Sequence, residues 1–211
     1  MGARTATVDR TTRETSIRCT LDLDGTRRVE VDTGIGFLDH LLTALAFHAG
    51  WDLELECTGD LQVDDHHTAE DCAVVLGQAV RRALGGSPVR RFGHAYAPLD
   101  EALARAVVDV SGRPWPQVEL GLEREMLGGL ACENVGHVLR TFAIELRAAV
   151  HVDVLKGSND HHRAEAAFKA LALALKTAME VAGGEVPSTK GVLEGGSGTG
   201  TATGAETEER R

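Results

Sequence analysis

Two short histidine–carboxylate motifs are the residues of this 211-residue chain best suited to chemistry. The first reads Asp65-His66-His67-Thr68-Ala69-Glu70, and the second reads Asp160-His161-His162-Arg163-Ala164-Glu165. Residues four apart share one face of a helix, so the first histidine of each pair lies beside the carboxylate. The second histidine points about 100° away, because a helix has 3.6 residues per turn. Each motif can therefore contribute to two metal ions.

The motifs also indicate that the chain is internally duplicated. The second motif lies 95 positions after the first (161 against 66), and His137 follows His40 at the similar offset of 97. Two matches at nearly one offset indicate a domain-sized repeat, longer than the repeats of solenoid proteins. We interpret residues 1–91 and 92–193 as two half-repeats. Residues 194–211 are rich in Gly, Thr and Glu, which predicts a disordered tail.

Together, the motifs and the repeated histidines predict two metal ions. Each ion would have three imidazoles and one carboxylate, a set without sulfur that suits Mn, Fe, Zn or Ni; six-coordination with substrate favours Mn or Fe. A solitary histidine would be a core or surface residue, but the recurrence of the pattern favours metal binding. Three histidines lie outside it: we expect His48 and His94 to be structural and His151 to be a strand residue.

The elements that must position these residues follow the same order in both halves. Apolar periodicity predicts helices over residues 36–49, 68–84, 134–148 and 164–181. Alternating residues predict strands over 15–23, 27–31, 51–57, 93–99, 102–110, 117–120 and 150–155. This order predicts an α/β (α+β) fold built as an internally duplicated two-layer sandwich, each half being a small mixed sheet covered by two helices.

Composition excludes several classes of protein. Apolar residues make up 43% and charged residues 26% of the chain, which is globular composition. No stretch approaches the roughly 18 apolar residues that a membrane span needs, and a net charge of -10 argues against binding nucleic acid. The four cysteines show no Cys-x-x-Cys spacing, which favours core packing and a reducing cytoplasm.

Several basic residues are candidates for binding a phosphate group. Lys169 lies one turn after Glu165, and the segment Pro187-Ser188-Thr189-Lys190-Gly191 offers hydroxyls, an ammonium group and close backbone approach. Arg91 and Arg113 lie near predicted strand ends, where loops can present guanidinium groups. In isolation, the segment is also compatible with a plain turn and each arginine with a solvated surface charge.

These residues resemble the imidazoleglycerol-phosphate dehydratase family over nearly all of residues 5–193. The resemblance rests on Gly36-Phe37-Leu38-Asp39-His40, Asp65–Asp71, Asn159–Glu165, Phe168-Lys169-Ala170 and Pro187–Leu193. It implies four-stranded sheets with paired helices, a homo-oligomer of 24 subunits, and two Mn²⁺ ions per active site between subunits. One departure is Gly136 beside His137, which weakens the helix locally by roughly 1 kcal/mol.

The resemblance also implies roles for individual residues. One ion would be held by His40, His66, Glu70 and His162, and the other by His67, His137, His161 and Glu165. The substrate phosphate would be held by Arg91, Arg113, Lys169, Ser188 and Lys190, while Glu14 also matches a substrate-contacting position.

The expected reaction is the dehydration of D-erythro-imidazole-glycerol phosphate to imidazole-acetol phosphate. The deprotonated ring would expel the C3 hydroxide through a diazafulvene-like intermediate, with metal ions as Lewis acids. Glu165, Glu14 and Asp100 are the candidates for moving the C2 proton. Two alternatives remain open at this point: a hydrolase or phosphatase that activates water with the same ions, and a non-catalytic metal-binding or shell-forming protein.

Overall fold

The computed structural model of the chain describes residues 2–183. The first half contains β1 Thr5–Thr11, β2 Thr15–Asp22, β3 Val29–Asp32, α1 Gly36–Ala49, β4 Asp52–Gly59 and α2 His66–Leu84. The second half contains β5 Phe92–Leu99, β6 Ala102–Asp109, β7 Trp115–Glu119, the short hairpin β8 Met126–Leu127 and β9 Leu130–Ala131, α3 Cys132–Leu146, β10 Ala149–Lys156 and α4 Asp160–Ala178.

Two four-stranded mixed sheets form the outer layers. Their strand orders are β1-β2-β4-β3 and β5-β6-β10-β7, so the second sheet repeats the topology of the first. In each sheet three strands are antiparallel, and the fourth, β3 or β7, pairs in parallel with β4 or β10. Successive side chains of β2 point to opposite faces of the sheet, and Ile17, Cys19 and Leu21 are buried on one of these faces. This pattern is expected for a sheet that is covered on one side. The predicted duplicated fold is confirmed.

The four helices lie between the two sheets. Helix α2 packs on β1 and β2, and α4 packs on β5 and β6. Across the junction of the two halves, α1 packs against α4 and α2 packs against α3. The buried apolar side chains of both halves form one continuous core. Each motif-bearing helix is therefore next to a helix of the other half.

Gly77 and Gly93 allow close approach of backbone segments in this core. A Cβ atom at Gly77 on α2 would lie 2.8 Å from the carbonyl oxygen of Phe142 on α3. A Cβ atom at Gly93 on β5 would collide with the carbonyl oxygen of Ala174 on α4 and lie 2.7 Å from the amide nitrogen of Ala178. Neither position leaves room for a side chain without moving backbone.

Several local features differ from the sequence-based predictions. Strand β1 was not predicted, because its residues are mostly polar and only Val8 is fully buried. Both motif helices begin earlier than predicted, at His66 and Asp160. Cys19, Cys72 and Cys132 are buried and Cys57 is partly buried, all as free thiols.

The remaining predictions concern positions outside the site. His151 lies on β10 as expected, His94 is exposed on β5, and His48 lies half-buried in the last turn of α1. The tail predicted over 194–211 lies outside the described residues, and the boundary between residues 91 and 92 remains an interpretation. Within residues 2–183, no helix is long and apolar enough to cross a membrane.

Replacing Gly93 with alanine (G93A) should destabilise the protein by about 3 kcal/mol, because overpacking at a backbone contact forces β5 and α4 apart. Urea-induced unfolding measures this change. G86A is the matched control, since a Cβ atom at Gly86 meets nothing within 4 Å. Equal stabilities of the two variants would contradict the close approach of β5 and α4.

Candidate metal centre

The two His-His pairs lie in the first turns of α2 and α4. At α4, the side chain of Asn159 caps the helix by accepting hydrogen bonds from the amide groups of His161 and His162, at 2.9 and 3.5 Å. At α2, the Asp64 carboxylate accepts from the amide of His66 at 2.9 Å. Local capping by residues immediately before each motif thus sets where the imidazoles begin.

The first cluster consists of His66, Glu70 and His137. Their potential ligand atoms all lie within 4.8 Å of one another. Nε2 of His137 is 3.0 Å from Oε1 of Glu70, and the rings of His66 and His137 stack with centroids 5.0 Å apart. The motif supplies two of these donors from α2, and α3 supplies the third.

The second cluster consists of His40, His161 and Glu165, whose potential ligand atoms also lie within 4.8 Å of one another. Oε2 of Glu165 is 2.9 Å from Nε2 of His40 and 3.2 Å from Nε2 of His161. Its other oxygen, Oε1, is 2.6 Å from the ammonium nitrogen of Lys169. Here the motif helix α4 supplies two donors and α1 supplies the third.

Both clusters have the donor chemistry of a transition-metal site. Each offers two imidazole nitrogens and one carboxylate oxygen, the set that manganese, iron, zinc and nickel accept. Ligand atoms bonded to one ion at about 2.1 Å lie within about 4.2 Å of one another, so only small side-chain shifts are needed. The residues therefore fit a divalent ion in each cluster.

Within one chain, His40 and His137 are exchanged relative to the ligand sets implied by the resemblance. Those sets placed His40 with His66 and Glu70, whereas the structure places His137 there. The cause is the pairing of α1 with α4 and of α2 with α3, which brings each motif to the histidine of the other half. The composition of a complete four-ligand set remains a prediction.

The second histidine of each pair points away from the clusters and is held by a carboxylate. Nδ1 of His67 lies 3.1 Å from Oδ2 of Asp60, and Nδ1 of His162 lies 2.7 Å from Oε2 of Glu101. These hydrogen bonds raise the pKa of His67 and of His162. On the opposite side of the rings, Nε2 of His67 lies 3.7 Å from Glu14. Nε2 of His162 likewise lies 3.8 Å from Asp100.

Two carboxylates of the site have strongly lowered pKa values. The pKa of Glu101 is lowered to about 2 by the hydrogen bond from His162 and by the amide groups of Asn159 and Ser158. At Glu165, burial alone would raise the pKa, but the ion pair with Lys169 and the bond with His40 outweigh it and bring the pKa to about 2. Both groups are therefore carboxylates at neutral pH, as metal ligation and histidine orientation require.

The candidate phosphate-binding residues are not all brought together. Lys169 lies beside the second cluster. Arg91 comes just before β5 and forms an ion pair with Asp109, with Nε 2.7 Å from Oδ1. Asp100, which faces His162, comes just after β5. Eight residues of strand place these ends roughly 25 Å apart. Arg113 is exposed in the loop after β6, and Ser188 and Lys190 lie outside the described residues.

Sequence reasoning missed several residues that contact the imidazoles. Asp60, Glu101 and Asn134 each accept or share a hydrogen bond with Nδ1 of a motif histidine. Glu101 neighbours the predicted Asp100 at the β5–β6 turn, and Asp60 lies seven residues before His67. Only this proximity could have indicated them, because the contacts depend on how the turns fold back on the helices.

The fold and the two clusters define a two-repeat α/β protein with paired histidine–carboxylate centres. A family profile for imidazoleglycerol-phosphate dehydratase matches residues 33–175. The chain belongs to the imidazoleglycerol-phosphate dehydratase family, and it is a hydro-lyase of histidine biosynthesis. The resemblance inferred from the motifs is confirmed.

Individual relatives agree with this membership. The imidazoleglycerol-phosphate dehydratase of Candida glabrata is 54% identical over 208 residues, covering 89% of this chain and 99% of the relative. The crystal structure of the Staphylococcus aureus enzyme is 36% identical with a TM-score of 0.77, covering 84% of this chain and 99% of that one. The Pyrococcus furiosus enzyme in complex with (S)-C348 is 39% identical with a TM-score of 0.77, covering 88% and 100%.

Replacing Glu101 with glutamine (E101Q) should lower the pKa of His162 toward its ordinary value of 6.5. The glutamine oxygen can still accept from Ser158 and Asn159, but its NH₂ group then faces Nδ1 of His162, so the charge and the acceptor for this nitrogen are both lost. The ionised Glu101 carboxylate contributes fully to the free energy of unfolding above its ordinary pKa of 4.5. This contribution disappears as the pH falls toward 2. The protonated imidazole of His162 contributes fully to the free energy of unfolding below pH 6.5. This contribution disappears as the pH rises through the raised pKa of His162.

The free energy of unfolding of the metal-free protein should therefore differ most between wild type and E101Q from about pH 4.5 to 6.5. Denaturant unfolding across a pH series measures this difference. The control is E56Q, which changes an exposed glutamate on β4. A difference that does not vary with pH would contradict the role of the ion pair.

Proposed function

We propose that this hydro-lyase dehydrates D-erythro-imidazole-glycerol phosphate to imidazole-acetol phosphate at a centre of two divalent ions, with Mn²⁺ as the resident metal. The observation that carries the proposal is the pair of clusters, each with two imidazoles and one carboxylate within 4.8 Å. Their donors suit manganese, and a nearby lysine suits a phosphorylated substrate. The substrate class follows from the family to which the chain belongs.

The fourth ligand of each ion comes from another copy of the chain. Each cluster offers three donors, and His67 and His162 point away from both. Because carboxylates occupy Nδ1 of these two histidines, Nε2 is the nitrogen left to ligate. The complete sets then have three histidines and one carboxylate, at interfaces of a homo-oligomer that the resemblance sets at 24 subunits.

Contacts to the substrate phosphate also come from more than one chain. Lys169 lies next to the second cluster, whereas Arg91 and Arg113 lie near the far end of β5 or β6. A neighbouring copy would supply these arginines, because β5 places Arg91 roughly 25 Å from Asp100, which faces His162. Ser188 and Lys190 complete the proposed phosphate site. We also propose a cytoplasmic location, because four free cysteines suit a reducing compartment.

The protein side chains would orient the substrate and move its protons. When bound, the ions would supply Lewis-acid stabilisation of the deprotonated imidazole and of the departing hydroxide. Lys169 would hold the phosphate, and a carboxylate would remove the C2 proton as the C3 hydroxyl leaves. The enol formed in this way then becomes the ketone.

Glu14 is the carboxylate best placed to accept the C2 proton. Glu165 is engaged by Lys169 and two imidazoles, and its pKa of about 2 makes it a weak base. Glu14 is half-exposed at the β1–β2 turn and faces Nε2 of His67. Asp100 occupies the corresponding turn of the second half, facing His162.

Replacing Glu14 with glutamine (E14Q) should lower kcat by at least about 100-fold while KM changes little, because general-base catalysis is lost and binding is retained. Steady-state formation of imidazole-acetol phosphate measures both constants. E54Q, which changes an exposed glutamate on the outer face of β4, is the matched control and should keep normal turnover. Near-normal turnover by E14Q would rule out the proposed role.

Removal of metal should abolish dehydration, and added Mn²⁺ should restore it, because the deprotonated ring and leaving hydroxide lose their stabilisation. Ketone formation is measured before and after chelation, alongside metal content and release of inorganic phosphate. Phosphate release without ketone would favour a phosphatase, and binding of metal without either product would favour a non-catalytic protein. Full activity of demetallated protein would contradict metal dependence.

A further inference from the structure

The two clusters differ at the residue that lies three positions before the histidine contributed by the opposite half. Asn134 precedes His137 at this spacing, and Phe37 precedes His40. Asn134 contacts the motif histidine of the first cluster, and Phe37 contacts the motif histidine of the second cluster. The duplicated positions are therefore equivalent in place but opposite in polarity.

In the first cluster, Asn134 dictates which nitrogen of His66 is free. The Asp65 carboxylate accepts from the side-chain NH₂ of Asn134 at 3.0 Å and from the amide of Ala131 at 2.6 Å. A carboxylate can only accept, so the NH₂ group of Asn134 must face it. Its carbonyl oxygen then faces Nδ1 of His66 at 2.9 Å. Nδ1 must carry the proton, which leaves the lone pair of Nε2 for a metal ion.

Burial makes this orientation rigid. Asn134 is only 2% exposed, and its amide oxygen and nitrogen both have partners. Turning the amide over would place its oxygen against the Asp65 carboxylate and lose the hydrogen bond between them. The first cluster is therefore preorganised before any ion arrives.

Within residues 2–183, the position duplicated in the second cluster gives no such support, because it is Phe37. The ring of Phe37 lies 5.0 Å from that of His161 and 5.9 Å from that of His40, and it offers no hydrogen-bond acceptor to either. Lys169 also holds Glu165 at 2.6 Å, four residues further along α4. The equivalent position in α2 is Val74, which has no charge. The ammonium group competes for the carboxylate and repels a divalent cation.

We infer that the first cluster binds its divalent ion more tightly than the second, with Asn134 acting as a positioning residue for His66. This inference rests on the proposed binding of an ion in each cluster. Loss of an outer contact to a metal-ligating histidine typically weakens metal affinity by 10- to 100-fold. We therefore expect two affinity classes that differ by at least about tenfold.

The test uses the full-length, metal-free protein titrated with Mn²⁺ alone. Free Mn²⁺ is followed by its electron paramagnetic resonance signal, and a competing chelator covers the tighter range. Two equally populated classes with dissociation constants at least about tenfold apart are expected. A single class of identical sites would overturn the inference.

Variants assign the classes to the clusters. N134L should weaken the tight class by about tenfold or more and leave the weak class unchanged, because His66, a ligand of the first cluster, loses its hydrogen-bond partner. F37L is the matched control at the duplicated position and should leave the tight class unchanged. Weakening of the weak class by N134L, or of neither class, would overturn the assignment.

K169M tests the second cluster independently, which matters if N134L fails to fold by circular dichroism and thermal melting. Removing the ammonium group should tighten the weak class several-fold and leave the tight class unchanged. An unchanged weak class in K169M would contradict the inference.

The inference and the proposed function fail in different ways. Two unequal classes in a protein that forms no ketone would refute the proposed function alone. Metal-dependent ketone formation with a single class of sites would refute the inequality alone.

Discussion

The packing of α1 against α4 and of α2 against α3 is the constraint on which the candidate metal centre depends. Each motif supplies one imidazole and one carboxylate, and only the helix of the other half adds a second imidazole. Separated half-repeats would each keep an incomplete donor set. Close contacts such as that of Gly77 with Phe142 hold the helices at this distance. The duplication therefore has a chemical consequence, because each cluster forms across the junction of the halves.

Much of the fold could be predicted from the sequence because the apolar periodicity is strong. Helix α1 has the predicted bounds, residues 36–49, and both sheets repeat as expected. Strand β1 was missed because a polar edge strand has little alternation of apolar and polar residues. The hairpin of β8 and β9 was missed because strands of two residues are too short to show a period. The starts of α2 and α4 depend on capping by Asp64 and Asn159, which periodicity does not report.

The site could be predicted in its residues but not in their grouping. Motif spacing identifies His66 with Glu70, because both lie on one helix. The partner of that pair, His137, is 67 positions from Glu70 and is chosen by helix packing. The carboxylate that holds His162 is 61 positions away at a turn. Contacts between segments that are distant in sequence decide the ligand geometry. A single sequence does not indicate which distant segments are in contact.

The distribution of charge explains how an acidic chain can handle a phosphorylated substrate. The net charge of -10 belongs to the whole chain, whereas the cations near the proposed phosphate sites act locally. Lys169 is held by Glu165, and Arg91 is held by Asp109. These carboxylates keep the cations ordered before substrate arrives. Because β5 separates Arg91 from Asp100 by roughly 25 Å, and Asp100 faces His162, Arg91 lies far from this motif histidine within one chain. A substrate site that used both Arg91 and His162 would therefore have to be shared between copies of the chain.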